Sequence, residues 1–339
     1  MAKFGIYSLA NDVVYDQLVA LLNSIERNCG LDIPVCIIPY DNRLERVKEE
    51  ISKRKNVTLF GDEESIQRWE SFANEVWSAH PRNQQPKSSR PSWYGGHLIR
   101  KFVAFDGEFD KFVFYDGDSL AMKPVDDVCE KLEEYDFVFD DWEHAKPLAA
   151  AALNIPLLEE LGLYQESEIR PILHCSSFFG SKKGLFTPDD IELMKQQLIK
   201  HQEVEWINGK GWWDDAFLFT YMTLWKQKPI FNFTLSPNNQ DVTGNCADAD
   251  PFVNVKNILY NQDKLKPIHR IHYMSYSSAE FARLCQGEDV NILYRDEFLY
   301  YRFLQEPQKR PSSFKLPSIK TRAKRLLQKA FRKLQRTIA

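Results

Sequence analysis

No run of about 18 consecutive apolar residues occurs anywhere in the 339-residue chain, so no membrane-spanning helix is expected. The start, Met1-Ala2-Lys3-Phe4, passes into a short apolar stretch ended by Asn11-Asp12. It lacks the apolar region and cleavage site of a secretory leader. Cysteine is sparse. Cys29, Cys36, Cys129, Cys175, Cys246 and Cys285 lie far apart, with no C-x-x-C pair. That pattern predicts reduced, mostly buried thiols in a cytoplasmic protein, and it indicates neither a disulfide framework nor a structural zinc site. Also missing are a G-x-x-x-x-G-K phosphate loop, a G-x-S-x-G nucleophile elbow and any internal repeat. What is present, 43% hydrophobic and 27% charged residues, suits a globular protein with a sizeable core and excludes wholesale disorder. The length predicts about two lobes, or one large domain with attachments.

Acids are absent from Pro307 to Ala339, which carry 11 of the 44 Lys and Arg. Residues 1–306 therefore keep 33 basic residues against all 48 acids, a balance of −15. An acidic body disfavours nucleic acid as a partner, and only the tail is expected to seek a negatively charged surface.

Phe4 to Leu9 is an apolar, aromatic and β-branched run that predicts a first strand. Helical spacing follows over Val13–Cys29, with Val14, Leu18, Leu21, Leu22 and Ile25 on one face. Ile33–Ile38, a charged helix at Leu44–Lys55 and Val57–Phe60 continue the alternation. The pattern predicts an α/β fold with a mixed, mainly parallel sheet. Further helices are expected at Ser65–Ala79, Tyr94–Phe105, Pro188–His201, Asp214–Trp225 and within Ser278–Leu304. Strands are expected at Lys111–Tyr115, Phe137–Asp141, Ser177–Gly180 and Arg270–Met274. Pro307–Pro317, with three prolines and two serines, reads as a linker.

Chemistry concentrates after the strand Lys111-Phe112-Val113-Phe114-Tyr115. It delivers Asp116 and Asp118, separated by Gly117, into the turn beyond its carboxyl end, where open α/β sheets bind ligands. Hard divalent cations take carboxylate oxygens and leave positions for substrate phosphates. The D-x-D is therefore a candidate metal–diphosphate clamp; the alternative is a solvated acidic turn. Tyr40 and Asp41, ending the second strand, are either base contacts or an ordinary turn.

The stretch from Arg100-Lys101 to Ser119 resembles the core of the retaining glycosyltransferases of the glycogenin and bacterial lipopolysaccharide galactosyltransferase type. In that family a basic residue precedes a helix, and the strand that follows ends in D-x-D. The resemblance implies a GT-A fold over residues 1–306 and sugar transfer from a nucleoside diphosphate donor, a UDP-sugar favoured, with Mn2+ or Mg2+. Ile6-Tyr7-Ser8-Leu9-Ala10-Asn11-Asp12 looks like the family's opening loop, which implies that Ser8, Leu9, Asn11 and Tyr15 face base and ribose. Arg100, with Lys101 as its possible substitute, would contact donor phosphate, and Asp116 and Asp118 would ligate the metal. His174-Cys175-Ser176-Ser177-Phe178-Phe179 resembles the strand beneath the sugar. Gly211-Trp212-Trp213-Asp214-Asp215-Ala216 resembles the G-D-Q segment, which places Asp214 on sugar hydroxyls and Asp215 at the Gln position as the candidate catalytic pair. Arg270-Ile271-His272-Tyr273-Met274-Ser275 resembles the late H-x-x-G strand, whose His272 would be the third metal ligand. Ser275 replaces that Gly, no K-P-W follows and Asp215 replaces the Gln, as in a divergent branch.

Other readings stay open. Asp214 and Asp215 also suit a helix N-terminus, and Trp212 and Trp213 are either core or a sugar platform. A strand followed by D-x-D also opens haloacid-dehalogenase-like phosphatases, and a degenerate site would make the chain a nucleotide-sugar or glycan binder. In 318–339, Ile319, Ala323, Leu326, Leu327, Ala330, Phe331, Leu334 and Ile338 predict one apolar helical face, with basic residues around it. That helix either packs on the protein or lies on anionic lipid at the inner face of a membrane, beside a glycan or lipid-linked acceptor.

Overall fold

The strand that begins at Phe4 is the centre of the molecule, because every residue from Gly5 to Ala10 is buried and needs cover on both faces. In the computed structural model, residues 3–84, 97–146, 153–208, 215–236, 244–263 and 266–317 are described. Their strands are β1 (Phe4–Ala10), β2 (Val35–Pro39), β3 (Val57–Leu59), β4 (Lys111–Asp116), β5 (Ser119–Ala121) and β6 (Phe137–Phe139), then β7 (Phe178–Lys182), β8 (Ile230–Asn232), β9 (Phe252–Val255), β10 (Ile258–Asn261) and β11 (Arg270–His272). Their helices are α1 (Tyr15–Asn28), α2 (Glu45–Ser52), α3 (Glu63–Ala79), α4 (Asp126–Glu134) and α5 (Ile155–Glu160), then α6 (Glu166–Ile169), α7 (Pro188–Lys200), α8 (Asp215–Lys226), α9 (Ser278–Cys285) and α10 (Arg295–Arg302).

A seven-stranded sheet runs β3-β2-β1-β4-β7-β6-β8. It is parallel except where β7 runs against both β4 and β6. The predicted α/β class and mainly parallel sheet are thus present. One face is covered by α3, α7 and α8 through Trp69, Phe72, Met194, Leu198 and Phe219. The other is covered by α1 and α4 through Leu18, Leu21, Leu22, Val128 and Leu132. A third core lies under α9 and α10, against β5 and β11, which pair antiparallel outside the main sheet.

Three differences from the sequence expectations have physical causes. His97–Phe105 is a 3-10 helix rather than an α-helix, because Ile99, Phe102 and Phe105, spaced three apart, all enter the same core. The short β5 has no strand-length apolar run of its own; its pairing with β11 creates it. The proline-rich segment is docked rather than free: Phe314 packs against the third core, and Lys315 exchanges backbone hydrogen bonds with Gly287 and Asp289. The expected helix in 318–339 lies outside the described residues.

The third core is tied to the sheet by a buried histidine. His269 is fully buried, its Nδ1 2.8 Å from Asp140 Oδ2 and its Nε2 3.0 Å from Asp127 Oδ2. Both partners accept, so both ring nitrogens donate and the ring is an imidazolium. Burial opposes that charge, but the hydrogen bonds from His269 to the two carboxylates outweigh it and raise the pKa. A raised folded-state pKa gives stability that is full below the unfolded value of about 6.5 and is lost as pH rises through the folded one. His269→Leu should cost about 3–5 kcal/mol near pH 6, since it removes the cation that hydrogen-bonds both Asp140, which is fully buried, and Asp127. Urea titrations should show the gap to the wild type narrowing as the pH is raised.

Candidate functional site

Beyond the carboxyl ends of β1, β2 and β4 lies a cleft of about 850 Å3. Leu9, Asn11, Asp41, Asp116, Gly117 and Asp118 line it, joined by Tyr40. Gly117 is dictated by space, since a Cβ there would sit 2.9 Å from the Leu9 carbonyl oxygen. The tight turn lets both aspartates reach one point. Asp116 ends β4, and His272 ends β11, which pairs directly with Ser119 after the turn. Ligand atoms of Asp116, Asp118 and His272 all lie within 4.8 Å of one another. His272 Nε2 is 3.2 Å from Asp118 Oδ1 and 3.9 Å from Asp116 Oδ2.

The charges explain one another. Burial disfavours the charged form of His272, yet the Asp118 carboxylate beside it pushes its pKa up to about 9. Burial acts against Asp118 as well, and His272 more than offsets it, holding that carboxyl below its ordinary range. Asp116 is raised: burial dominates, and Lys101 offsets it only in part. Two carboxylates and one imidazole are a donor set that fits Mn2+ or Mg2+.

Beneath the triad sits Lys101, 1% exposed. Its Nζ lies 3.0 Å from Asp116 Oδ1 and 2.5 Å from Asp215 Oδ2, and it donates to the Ser176 carbonyl at 3.2 Å. The Ser176 hydroxyl donates to Asp215 in turn. Asp215, the first residue of α8, is therefore buried in an ion-pair network with the first aspartate of the D-x-D.

Several expected donor contacts are placed elsewhere. Ser8 is fully buried and is not among the lining residues. Tyr15 donates to Glu50 at 3.1 Å and stacks under Arg46 instead of facing the cleft. Arg100 is held by Glu70 at 2.7 Å and by the Pro39 carbonyl at 3.0 Å, outside the lining. Burial would raise the Glu70 carboxyl, but hydrogen bonds from His97 and Arg100 hold it at about 2, so Arg100 is firmly engaged. Lys101 faces the floor rather than a phosphate position. Asp214, Trp212 and Trp213 lie outside the described residues. Conversely, the cleft gains His97, Gln17, Tyr276, Ser277 and Ser278. Only Ser277 carried a signal, as the start of the S-x-x-E capping box with Glu280 that opens α9.

No family model and no curated protein matches the sequence. Among solved structures, the apo bifunctional glycosyltransferase WbbM matches over 92% of this chain and 52% of its own, at 15% identity and TM-score 0.50. The fold is that of the GT-A glycosyltransferases. The chain spans about half the length of WbbM. The galactosyltransferase LgtC, solved with donor and acceptor sugar analogues, matches over 86% of this chain and 99% of its own, at 10% identity and TM-score 0.42. Mouse xyloside xylosyltransferase 1 matches over 68% and 84%, at 7% identity and TM-score 0.41. In this GT-A chain the cleft, the D-x-D turn and the late histidine converge at one edge of the sheet.

Lys101→Met tests the floor. It removes the cation between Asp116 and Asp215, leaving Asp215 without its ion pair and Asp116 with only His272 at 3.9 Å, and urea unfolding should show a loss of about 3–5 kcal/mol. Adding Asp215→Asn should recover part of it.

Proposed function

We propose that the protein is a metal-dependent glycosyltransferase that moves a sugar from a nucleoside diphosphate donor, a UDP-sugar favoured, to a glycan or lipid-linked acceptor. The observation that carries the reading is the convergence of Asp116, Asp118 and His272 at the foot of the cleft. Leu9, Val13, Val14 and Leu98 give the cleft apolar walls, with Asn11, Gln17 and Asp41 as polar points, which suits a planar base and its ribose. Asn11 donates to Asp41 at 2.9 Å, and Arg43 donates to the same carboxylate, so the polar end is fixed before a ligand arrives.

Charge compensation supports metal dependence. Among the described residues, Arg43 is the one Lys or Arg lining the cleft, and it is paired with Asp41. Arg100 is paired with Glu70, and Lys101 with Asp116 and Asp215. A donor diphosphate would therefore meet few fixed cations. A divalent cation held by Asp116, Asp118 and His272 would supply Lewis-acid stabilisation of the leaving diphosphate. Lys101 keeps Asp116 and Asp215 in place while the donor binds. Asp214 remains the group proposed to orient the sugar, with Asp215, at the Gln position, as the second member of the candidate catalytic pair. We favour retention: the bond from the anomeric carbon to phosphate breaks, the bond to the acceptor oxygen forms on the same face, and the departing phosphate takes the acceptor proton.

Hydrolysis of a nucleotide-sugar panel with Mn2+ tests the reading. Asp118→Ala should fall at least about a hundredfold while melting as the wild type does, and NMR of the wild-type product should show the donor's anomer. Full activity of Asp118→Ala in chelator would refute metal dependence; hydrolysis of simple phosphate esters without sugar release would favour a phosphatase.

For the tail, we propose an interfacial helix over 318–339 that holds a cytoplasmic enzyme at an anionic membrane. No helix among the described residues is long and apolar enough to cross a membrane. Each Lys or Arg near such a surface contributes about 1 kcal/mol. Deleting 318–339 should abolish co-sedimentation with anionic vesicles at low salt and leave donor hydrolysis unchanged.

A further inference from the structure

The triad joins two different sheets: Asp116 ends a strand of the seven-stranded sheet, His272 ends a strand of the small sheet beside it, and Asp118 lies in the turn between β4 and β5. Something must fix the distance between those sheets. Arg270, two residues before His272 on β11, is 1% exposed, and its Nη2 donates to Ser177 Oγ at 2.7 Å. Ser177 in turn accepts the Asp116 backbone N–H on its carbonyl oxygen, at 2.9 Å. On the other side, the Asp118 carbonyl accepts the Tyr273 N–H at 3.0 Å. The connections close a ring: Asp116 to Ser177, Ser177 to Arg270, Arg270 along β11 to His272, His272 to Asp118, and back through Gly117.

Arg270 is an odd choice for a purely structural strut. Its guanidinium lies over the Phe178 ring, 5.0 Å from the centroid, and its Nε and Nη1 have no hydrogen-bond partner among the described residues. No carboxylate is within ion-pair distance of it among those residues, although a buried charge is unfavourable without pairing. An apolar side chain of similar length would serve packing at least as well.

We propose that Arg270 is a positioning residue of the metal centre, setting through Ser177 the separation of His272 from Asp116. This rests on the reading that Asp116, Asp118 and His272 bind a divalent cation. Second-layer contacts of this kind orient ligands, and their loss weakens metal binding by roughly ten- to a hundredfold.

The experiment is a titration of the full-length chain with Mn2+ alone, read by electron paramagnetic resonance, beside thermal melts without metal. Arg270→Met should bind Mn2+ roughly ten- to a hundredfold more weakly while its metal-free melting temperature is unchanged or higher. Ser177→Ala should weaken binding in the same direction, and the double variant should add little to Arg270→Met, because the two act through one contact. Arg270→Lys, which keeps a donor, should fall between. If Arg270→Met does not fold, Ser177→Ala carries the test alone. Wild-type affinity in both variants, or a loss that only tracks the unfolded fraction, overturns the role of Arg270 and leaves the metal reading standing. A wild-type chain that binds no Mn2+ overturns the metal reading, and this proposal with it.

Discussion

The site depends on one buried ammonium. Lys101 sits where three requirements meet: two carboxylates within about 3 Å of it, a serine carbonyl, and the ring of Phe114 at 5.0 Å. A lone ammonium in that core would be expelled or neutralised. Among Asp116 and Asp215 it stays charged, its pKa raised despite the burial that opposes it. The converse holds as well. Asp116 and Asp215 would repel each other at the base of an already acidic cleft without the cation between them. The arrangement links β4, the 3-10 segment that carries Lys101, the Ser176 approach to β7 and the first turn of α8 through one atom.

That constraint accounts for the backbone around it. The His97–Phe105 segment must send Lys101 toward the sheet's carboxyl edge and Ile99, Phe102 and Phe105 into the aromatic core. A three-residue period does both; the 3.6-residue period of an α-helix would rotate the apolar stripe away over nine residues. Arg100, one position earlier, then points aside to Glu70 and Pro39. Adjacent basic residues thus have unrelated tasks, and neither is left free for an incoming phosphate.

Much of this was legible in the sequence. The alternation of short apolar runs with amphipathic stretches gave the α/β class, because strand and helix periods differ locally. The D-x-D was readable because a strand end followed by Asp-Gly-Asp constrains where both side chains go. His272 followed only from the resemblance, since nothing local marks a histidine in a short apolar strand as facing an aspartate 154 positions earlier in the chain. Tyr15 and Arg100 are turned away from the cleft for a shared reason. A motif fixes a residue's position on its element, but its direction is set by partners distant in sequence, here Glu50 for Tyr15 and Glu70 for Arg100. Ser277 and Tyr276 were missed because the cleft's far wall is built by the return of the chain after β11.

The third core gives the molecule's charge asymmetry a place. Its last described contacts are Phe314, beneath the Arg295 guanidinium at 5.3 Å, and Lys315, paired through its backbone with Gly287 and Asp289. Gly287 follows the C-terminal end of α9, whose N-terminal residues Ser277 and Ser278 form the cleft's rim. At 1.5 Å per residue, eight-residue α9 spans about 12 Å. The basic segment is therefore rooted within about one short helix of the cleft, not at the end of a free tether. For the proposed membrane role this matters, because a tether that starts from a fixed root samples less volume than one that starts from a free chain. Residues 1–306 carry a balance of −15, so under the membrane proposal the field of the body would oppose an anionic surface, and the attraction would have to come from the basic residues after Pro307.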